Sequence, residues 1–139
     1  MSDKVFLDTN VLVYLFDRGA PAKQKKARAI LESEGGAGNI VISTQVLEEF
    51  YVSVTRKLGK PLSEQEADGA VRDLRSLDVV EIDVEMVLRS IATSRGQRIS
   101  LWDALIIEAA QARYCQRLLT EDLQDGRQFG ALRVENPFN

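Results

Sequence analysis

The sequence predicts an α/β fold: a three-layer α/β/α sandwich whose mostly parallel central sheet has four to five strands. Three observations carry this expectation. Short apolar runs alternate along the chain with longer segments of helical periodicity, the pattern of parallel strands joined by crossover helices that cover both faces of a sheet. The segment Leu101 to Tyr114 is apolar nearly all round its helical surface, as a helix buried in the middle of such a fold must be. The length of 139 residues, with 45% hydrophobic and 28% charged, is that of one domain with one core, so residues 1–139 are read as a single domain without a linker.

The elements follow in order. Val5 to Leu7 is a buried strand that passes through Asp8-Thr9-Asn10 into a helix carrying Val11 to Phe16, with Thr9 or Asn10 as its expected N-cap. Ala22 to Ser33 sets Ala27, Ile30 and Leu31 against Lys23, Lys25, Lys26 and Arg28, an amphipathic helix expected to stop at Gly35-Gly36-Ala37-Gly38. Because a strand rather than a helix follows those glycines, they lack the setting of a phosphate-cradling loop. Asn39 to Ser43 is the second strand, and Ser43 or Thr44 caps a helix to about Leu58 with Leu47, Phe50, Tyr51 and Val54 on its apolar face.

Gly59, Lys60 and Pro61 end that helix, and Ser63 with Glu66 forms a capping box that opens another to Ser76. Val79 to Ile82 is a third strand, and Asp83 starts a helix that ends near Gly96. Ser100 with Asp103 repeats the capping-box spacing ahead of the apolar helix, and Arg117 to Thr120 and Leu132 to Val134 complete the strands.

Composition excludes several functions. A net charge of −3 argues against a wholly basic nucleic-acid binder but leaves local basic clusters free to act. Cys115 is the only cysteine, which fits a reducing cytoplasm, and with no histidine in the chain a thiol nucleophile has no partner base. Met1 to Lys4 carries one charge of each sign and meets Asp8 too soon for a signal peptide or a spanning helix, so a cytoplasmic protein without a membrane partner is expected.

Hydrolytic chemistry without histidine must rest on acids. Asp8 follows the first strand and Asp122 follows the Arg117 to Thr120 strand, and ligand sites of open parallel sheets lie beyond those carboxyl ends. Asp8 could instead simply cap a helix, and Asp122 could make a turn before Gly126. Asp103 fits the third position of a capping box, yet its neighbours at i+3, i+4 and i+7 are Ile106, Ile107 and Ala110, an apolar stripe on which an unpaired ionised carboxylate tends to protonate or find a cation. Glu48 and Glu49 both fall off the apolar face, and periodicity does not choose between them. Asp17, Asp78, Asp83 and Asp125 are weaker candidates.

One cysteine and no histidine cannot build a zinc site, whereas an oxygen-only set suits Mg²⁺ or Mn²⁺. Crowded carboxylates either take up protons or are neutralised by such an ion. Because magnesium bridges carboxylates to phosphate oxygens, the substrate expected is a phosphate ester.

Read together, Phe6-Leu7-Asp8-Thr9-Asn10, Ser43-Thr44-Gln45-Val46-Leu47-Glu48-Glu49-Phe50, Ser100-Leu101-Trp102-Asp103-Ala104-Leu105-Ile106 and Leu119-Thr120-Glu121-Asp122 resemble the four acidic motifs of the PIN-domain ribonucleases, and within them the VapC-like toxins of toxin–antitoxin systems. The resemblance spans the chain down to Asn136-Pro137-Phe138. It implies a three-layer fold, an Mg²⁺ or Mn²⁺ cofactor and hydrolysis of phosphodiester bonds in RNA. By the same resemblance, Asp8, Asp103 and Asp122 are metal-binding acids and Glu49 completes the catalytic cluster, while Thr9, Asn10 and Thr120 hold the acids in place. Glu48 beside Glu49 and Glu121 beside Asp122 leave the assignment within each pair open, and Glu108 within the apolar helix has no role in this scheme. Asp103 or Asp122 would orient the attacking water, and metal-bound water or a lysine would protonate the leaving group.

Arg56, Lys57 and Lys60 after the Glu49 helix, and Arg95 and Arg98 before the Asp103 helix, are the basic residues expected to flank the cleft and contact RNA phosphates; helix-end cations complementing the dipole are the plainer explanation. Trp102 is read as core or interface. The family further implies a small antitoxin partner and a homodimer. Two other readings stand beside it: an Mg²⁺-dependent haloacid-dehalogenase-like phosphatase, which wants a second aspartate where Asn10 stands, and a PIN-like module that binds RNA or protein without cleaving.

Overall fold

The computed structural model describes residues 3–139, so Met1 and Ser2 of the amino-terminal reading lie outside it. Six strands form one sheet: β1 (Val5–Leu7), β2 (Ile40–Ser43), β3 (Asp78–Val80), β4 (Arg117–Leu119), β5 (Gln128–Phe129) and β6 (Leu132–Glu135). The order is β3-β2-β1-β4-β6-β5, and every pairing is parallel except that of β5 with β6. β5 was absent from the sequence reading because two residues cannot show a periodicity. Val5, Phe6, Leu7, Ile42 and Leu118 are wholly buried, as the central strands of a sheet covered on both faces must be.

The helices are α1 (Thr9–Val13), continued by a 3₁₀ turn (Tyr14–Phe16), then α2 (Pro21–Gly36), α3 (Thr44–Arg56), α4 (Glu64–Leu74), α5 (Val84–Gln97) and α6 (Leu101–Ala112). Against expectation, α2 runs through Gly35 and Gly36. The residue that stops it is Gly38, at φ 74°, where the Gly38 N–H bonds Gly35 O at 3.0 Å and the Asn39 N–H bonds Glu34 O at 3.1 Å. This is a Schellman closure, which needs a left-handed residue just past the helix end.

Caps fix where each later helix starts. Ser43, Ser63, Asp83 and Ser100 accept the backbone N–H groups of Val46, Glu66, Met86 and Asp103. The Ser63 box is reciprocal, with Glu66 accepting the Ser63 N–H at 2.9 Å, whereas no bond returns from the Asp103 carboxylate to Ser100. Glu108 on α6 accepts the Thr93 hydroxyl at 2.8 Å and pairs with Arg89 at 3.5 Å, so it ties α6 to α5. Trp102 is 63% exposed and is therefore not a core residue. Among the described residues no helix is long and apolar enough to cross a membrane.

In this strand order the chain turns from one direction of sheet growth to the other between β1 and β4. The crevice beyond their carboxyl ends is where open α/β sheets bind ligands.

Candidate active site

Asp8 stands at the end of β1 and begins α1. It is itself the N-cap that had been expected of Thr9 or Asn10, because its Oδ1 accepts the Thr9 N–H at 2.7 Å. The strand leaves Asp8 in extended geometry at the moment the helix begins, which aims the carboxylate at the free N–H groups of the first turn. Its other oxygen, Oδ2, accepts the Thr120 hydroxyl at 2.8 Å from the end of β4. The residue is buried, with 7% of its surface exposed. Burial pushes its pKa up from 3.8 to about 6; the bonds from Thr120 and Thr9 oppose this, and the charges of Asp122 and Glu49 add to it.

The same Thr120 hydroxyl accepts the Asp122 N–H at 3.1 Å, and Asn10 Nδ2 reaches Asp122 Oδ2 at 3.2 Å and Thr120 Oγ1 at 3.4 Å. Asp122 is therefore held beside Asp8 by Thr120 at the end of β4 and by Asn10 in the first turn of α1. Its neighbour Glu121 accepts the Tyr14 hydroxyl and pairs with Lys23 at 3.0 Å, so it faces α2 and not the acids.

On α3, the Thr9 hydroxyl donates to Glu49 Oε1 at 2.9 Å and Gln45 Nε2 donates to Glu49 Oε2 at 3.3 Å. Glu48 makes no such bonds among the described residues. Gln45 also donates to Trp102 O at 3.2 Å, which links the Glu49 helix to the first turn of α6, where Asp103 sits. Asp103 is half-buried, and among the described residues its carboxylate makes no hydrogen bond and is not gathered with two other acids into one cluster.

Glu49 and Asp122 open on a cavity of about 610 Å³ whose walls also include Thr9, Asn10, Tyr14, Glu48 and Lys57, whereas Asp8, Thr120 and Asp103 are not on its wall. Of the basic residues expected at the cleft, Lys57 is on its wall. Arg56, Arg95 and Arg98 are exposed and are not, and Arg98 closes α5 in the left-handed region at φ 57°.

Two contributors went unread in the sequence: Tyr14, and the buried Gln45, four residues before Glu49. A glutamine one turn ahead of a glutamate on the same helix face was the available signal for the second.

The donors fit a hard divalent cation. All are oxygens, Asp8 carries a charge that burial disfavours, and among the described residues the buried Asn10 Oδ1 and Gln45 Oε1 find no hydrogen-bond partner. Asn10 cannot be turned over to satisfy that oxygen without facing it toward the Asp122 carboxylate. Among the described residues no three acids converge into a complete cage. Magnesium does not need one, since it keeps several waters and takes one or two carboxylates together with substrate phosphate.

Comparison with known proteins adds the lineage. The chain resembles a toxin–antitoxin complex from Klebsiella pneumoniae at 22% identity and a TM-score of 0.71, over 96% of this chain and 98% of that one. It resembles DNA-bound VapBC from Salmonella typhimurium at 19% identity and a TM-score of 0.67, over 98% and 99%. It also resembles VapC20 of Mycobacterium tuberculosis, a sarcin-ricin-loop cleaving toxin, at 19% and 0.66, over 83% and 87%. No curated protein matches it. Identities this low establish a shared fold. The family itself rests on the sequence model of the PIN domain, which matches residues 5–125 and takes in Asp8, Glu49, Asp103 and Asp122; the chain belongs to the PIN domain family.

Proposed function

We propose that this protein is a metal-dependent endoribonuclease that hydrolyses phosphodiester bonds in RNA, and that it is the toxin of a toxin–antitoxin pair acting in the cytoplasm. The observation that carries the reading is the junction of β1 and β4, where a buried Asp8 shares the Thr120 hydroxyl with Asp122 beside a cavity that Glu49 also faces.

Asp8, Asp122 and Asp103 would hold Mg²⁺ or Mn²⁺. When bound, such an ion polarises the phosphate and lowers the pKa of the attacking water. The chain's own groups do the rest. Thr9, Asn10 and Thr120 keep the carboxylates in one arrangement, so that no reorganisation accompanies the reaction. Asp122, fixed through one oxygen by Asn10, presents the other to orient the water. Lys57, on the cavity wall, is the cation available to the leaving oxygen. Asn10, which argued against a phosphatase, donates to Asp122 and Thr120, a role an aspartate could not fill.

Two solved relatives in fold are toxin–antitoxin assemblies, which supports a small antitoxin as partner. A homodimer is supported by Val84, Leu88 and Ile91, which stand exposed on α5 at helical spacing with exposed Trp102 on the adjoining α6.

The test is incubation of the pure protein with single-stranded RNA in Mg²⁺, in Mn²⁺ and in EDTA, alongside Asp8→Asn. Cleavage in the presence of metal and its loss with EDTA or with the substitution are expected. Cleavage that persists through both refutes the proposal, and binding without cleavage under every metal favours the non-catalytic module.

A further inference from the structure

The acid-lined cavity continues past its own wall. Asp17 and Leu58 also line a second cavity of about 420 Å³, whose other walls are Phe16, Arg18, Gly19, Gly59 and Lys60. We read the two adjoining cavities, which share Asp17 and Leu58, as one groove leading from Asp122 and Glu49 past Leu58 to the turn after the 3₁₀ segment and the loop after α3.

Charge changes sign along it. The first cavity holds the carboxylates, with Lys57 on its wall, and the second ends between the exposed Arg18 and Lys60. Among the described residues none of these cations forms an ion pair. The acid that feels Arg18 is Glu66, whose carboxyl is held below its ordinary value by the Ser63 N–H and hydroxyl first and by Arg18 only as a lesser attraction. Asp17 interrupts the basic end, but its Oδ1 accepts the Gly19 N–H at 3.0 Å. A Cβ on Gly19 would come within 3.2 Å of that oxygen, so glycine lets the carboxylate fold onto its own turn.

The lining also holds two apolar side chains. Leu58 and Phe16 pack on the core, and the Phe16 ring is held edge-on against Phe50 at 5.7 Å. Cations on the walls with apolar side chains beneath are what a single-stranded nucleic acid uses, the first for its phosphates and the second for its bases.

We propose that this groove seats the RNA strand on one side of the scissile phosphate, with Arg18 and Lys60 contacting backbone phosphates and Phe16 and Leu58 under the bases. It rests on the RNA-hydrolysis reading for its substrate. It adds Arg18, which no sequence motif marked, and it moves the binding surface to a side of the cleft that Arg95 and Arg98 do not line.

The experiment is fluorescence anisotropy with an end-labelled single-stranded RNA, in EDTA and over a salt series. It compares wild type, the double variant Arg18→Ala/Lys60→Ala, and the control Lys25→Ala/Arg28→Ala, which removes two exposed cations from α2 outside the groove. The groove variant should bind roughly tenfold more weakly at moderate salt, and its log–log salt slope should be shallower by about 1.4, at about 0.7 per lost contact. The control should keep the wild-type slope. Equal weakening in both doubles, or no RNA binding by wild type, overturns the proposal. Unchanged binding by the groove variant also overturns it and leaves the groove to an acidic protein segment. A protein that never cleaves RNA, yet loses affinity only through Arg18 and Lys60, refutes the hydrolysis reading and keeps the groove. Cleavage with wild-type affinity in the groove variant does the reverse.

Discussion

The hydroxyl of Thr120 donates to Asp8 Oδ2 at 2.8 Å and is buried with it, so the end of β4 holds the acid at the end of β1. Thr120 also accepts from Asp122 N–H and Asn10 Nδ2, which makes one oxygen the meeting point of three site residues. Thr120→Val keeps the shape and removes all three bonds. It should cost about 1–2 kcal/mol of stability and about 10–100-fold in metal affinity or activity, while Thr120→Ser should keep most of both. Urea unfolding and a cleavage assay on the same preparations measure the two effects, and a Val variant indistinguishable from wild type would remove Thr120 from the site.

Asp8 gives a pH dependence whose sign follows from its burial. Its pKa is raised from 3.8 to about 6, so below pH 3.8 the carboxyl is protonated in both folded and unfolded chains and carries no penalty. The penalty grows as pH rises between those values and is complete above about 6, where it is about 3 kcal/mol. Asp8→Asn removes that cost but leaves one bond to Thr120 ill-matched, a loss of about 1 kcal/mol. In EDTA at pH 7.5 the variant should therefore be more stable by about 1–2 kcal/mol, and the gain should vanish by pH 4. Melting curves across that range decide it. Added Mg²⁺ should raise the melting temperature of wild type and not of the variant, and wild-type metal affinity should fall as pH drops through about 6.

How far the sequence could be read follows from what each signal depends on. Strand positions and the mostly parallel sheet were legible because buried parallel strands are continuous apolar runs, and β1 and β4 run directly into Asp8 and Thr120-Glu121-Asp122. Choices within pairs were not, since Glu48 and Glu49 differ by 100° on a helix and, beyond the local Gln45 bond, only the tertiary position of Thr9 tells them apart. The end of α2 was misplaced because three glycines stand together and the helix stops at the one that takes positive φ, which is decided by where β2 must begin. Arg18 was invisible for a different reason: the groove that it lines is assembled from two loops far apart in sequence.

The two ambiguous pairs now make opposed predictions. Glu49→Gln sets an amide against donors from Thr9 and Gln45 and should lower RNA cleavage by about 10–100-fold. Glu48→Gln, on the same cavity wall but without those bonds, should change it less than about threefold. Likewise Asp122→Asn should abolish most activity, whereas Glu121→Gln should loosen Tyr14 and Lys23 and leave cleavage within a few-fold of wild type. Equal losses in both members of either pair would mean that the hydrogen bonds do not select the working acid.

Exposed Leu88, between Val84 and Ile91 on α5, is 55% accessible and lies on the stripe assigned to the dimer. Leu88→Asp introduces a charge without disturbing a buried contact. It should leave the melting temperature of the isolated fold nearly unchanged while shifting the mass measured by light scattering from two copies to one. A wild-type chain that is already monomeric at high concentration would dispose of the dimer.

Ser100 and Asp103 separate the structural and chemical demands on the start of α6. The Ser100 hydroxyl accepts the Asp103 N–H at 3.0 Å, whereas the Asp103 carboxylate returns no bond to Ser100, so the capping explanation for this acid accounts for its backbone only. Ser100→Ala should cost about 1 kcal/mol through the lost cap and reduce cleavage only as far as the helix start becomes mobile. Asp103→Asn should cost almost no stability, because among the described residues its carboxylate makes no hydrogen bond, and it should reduce Mg²⁺ affinity and cleavage together. If Asp103→Asn instead destabilises the fold and spares cleavage, the acid is a cap that works through a bond this conformation lacks, and the metal is left to Asp8 and Asp122.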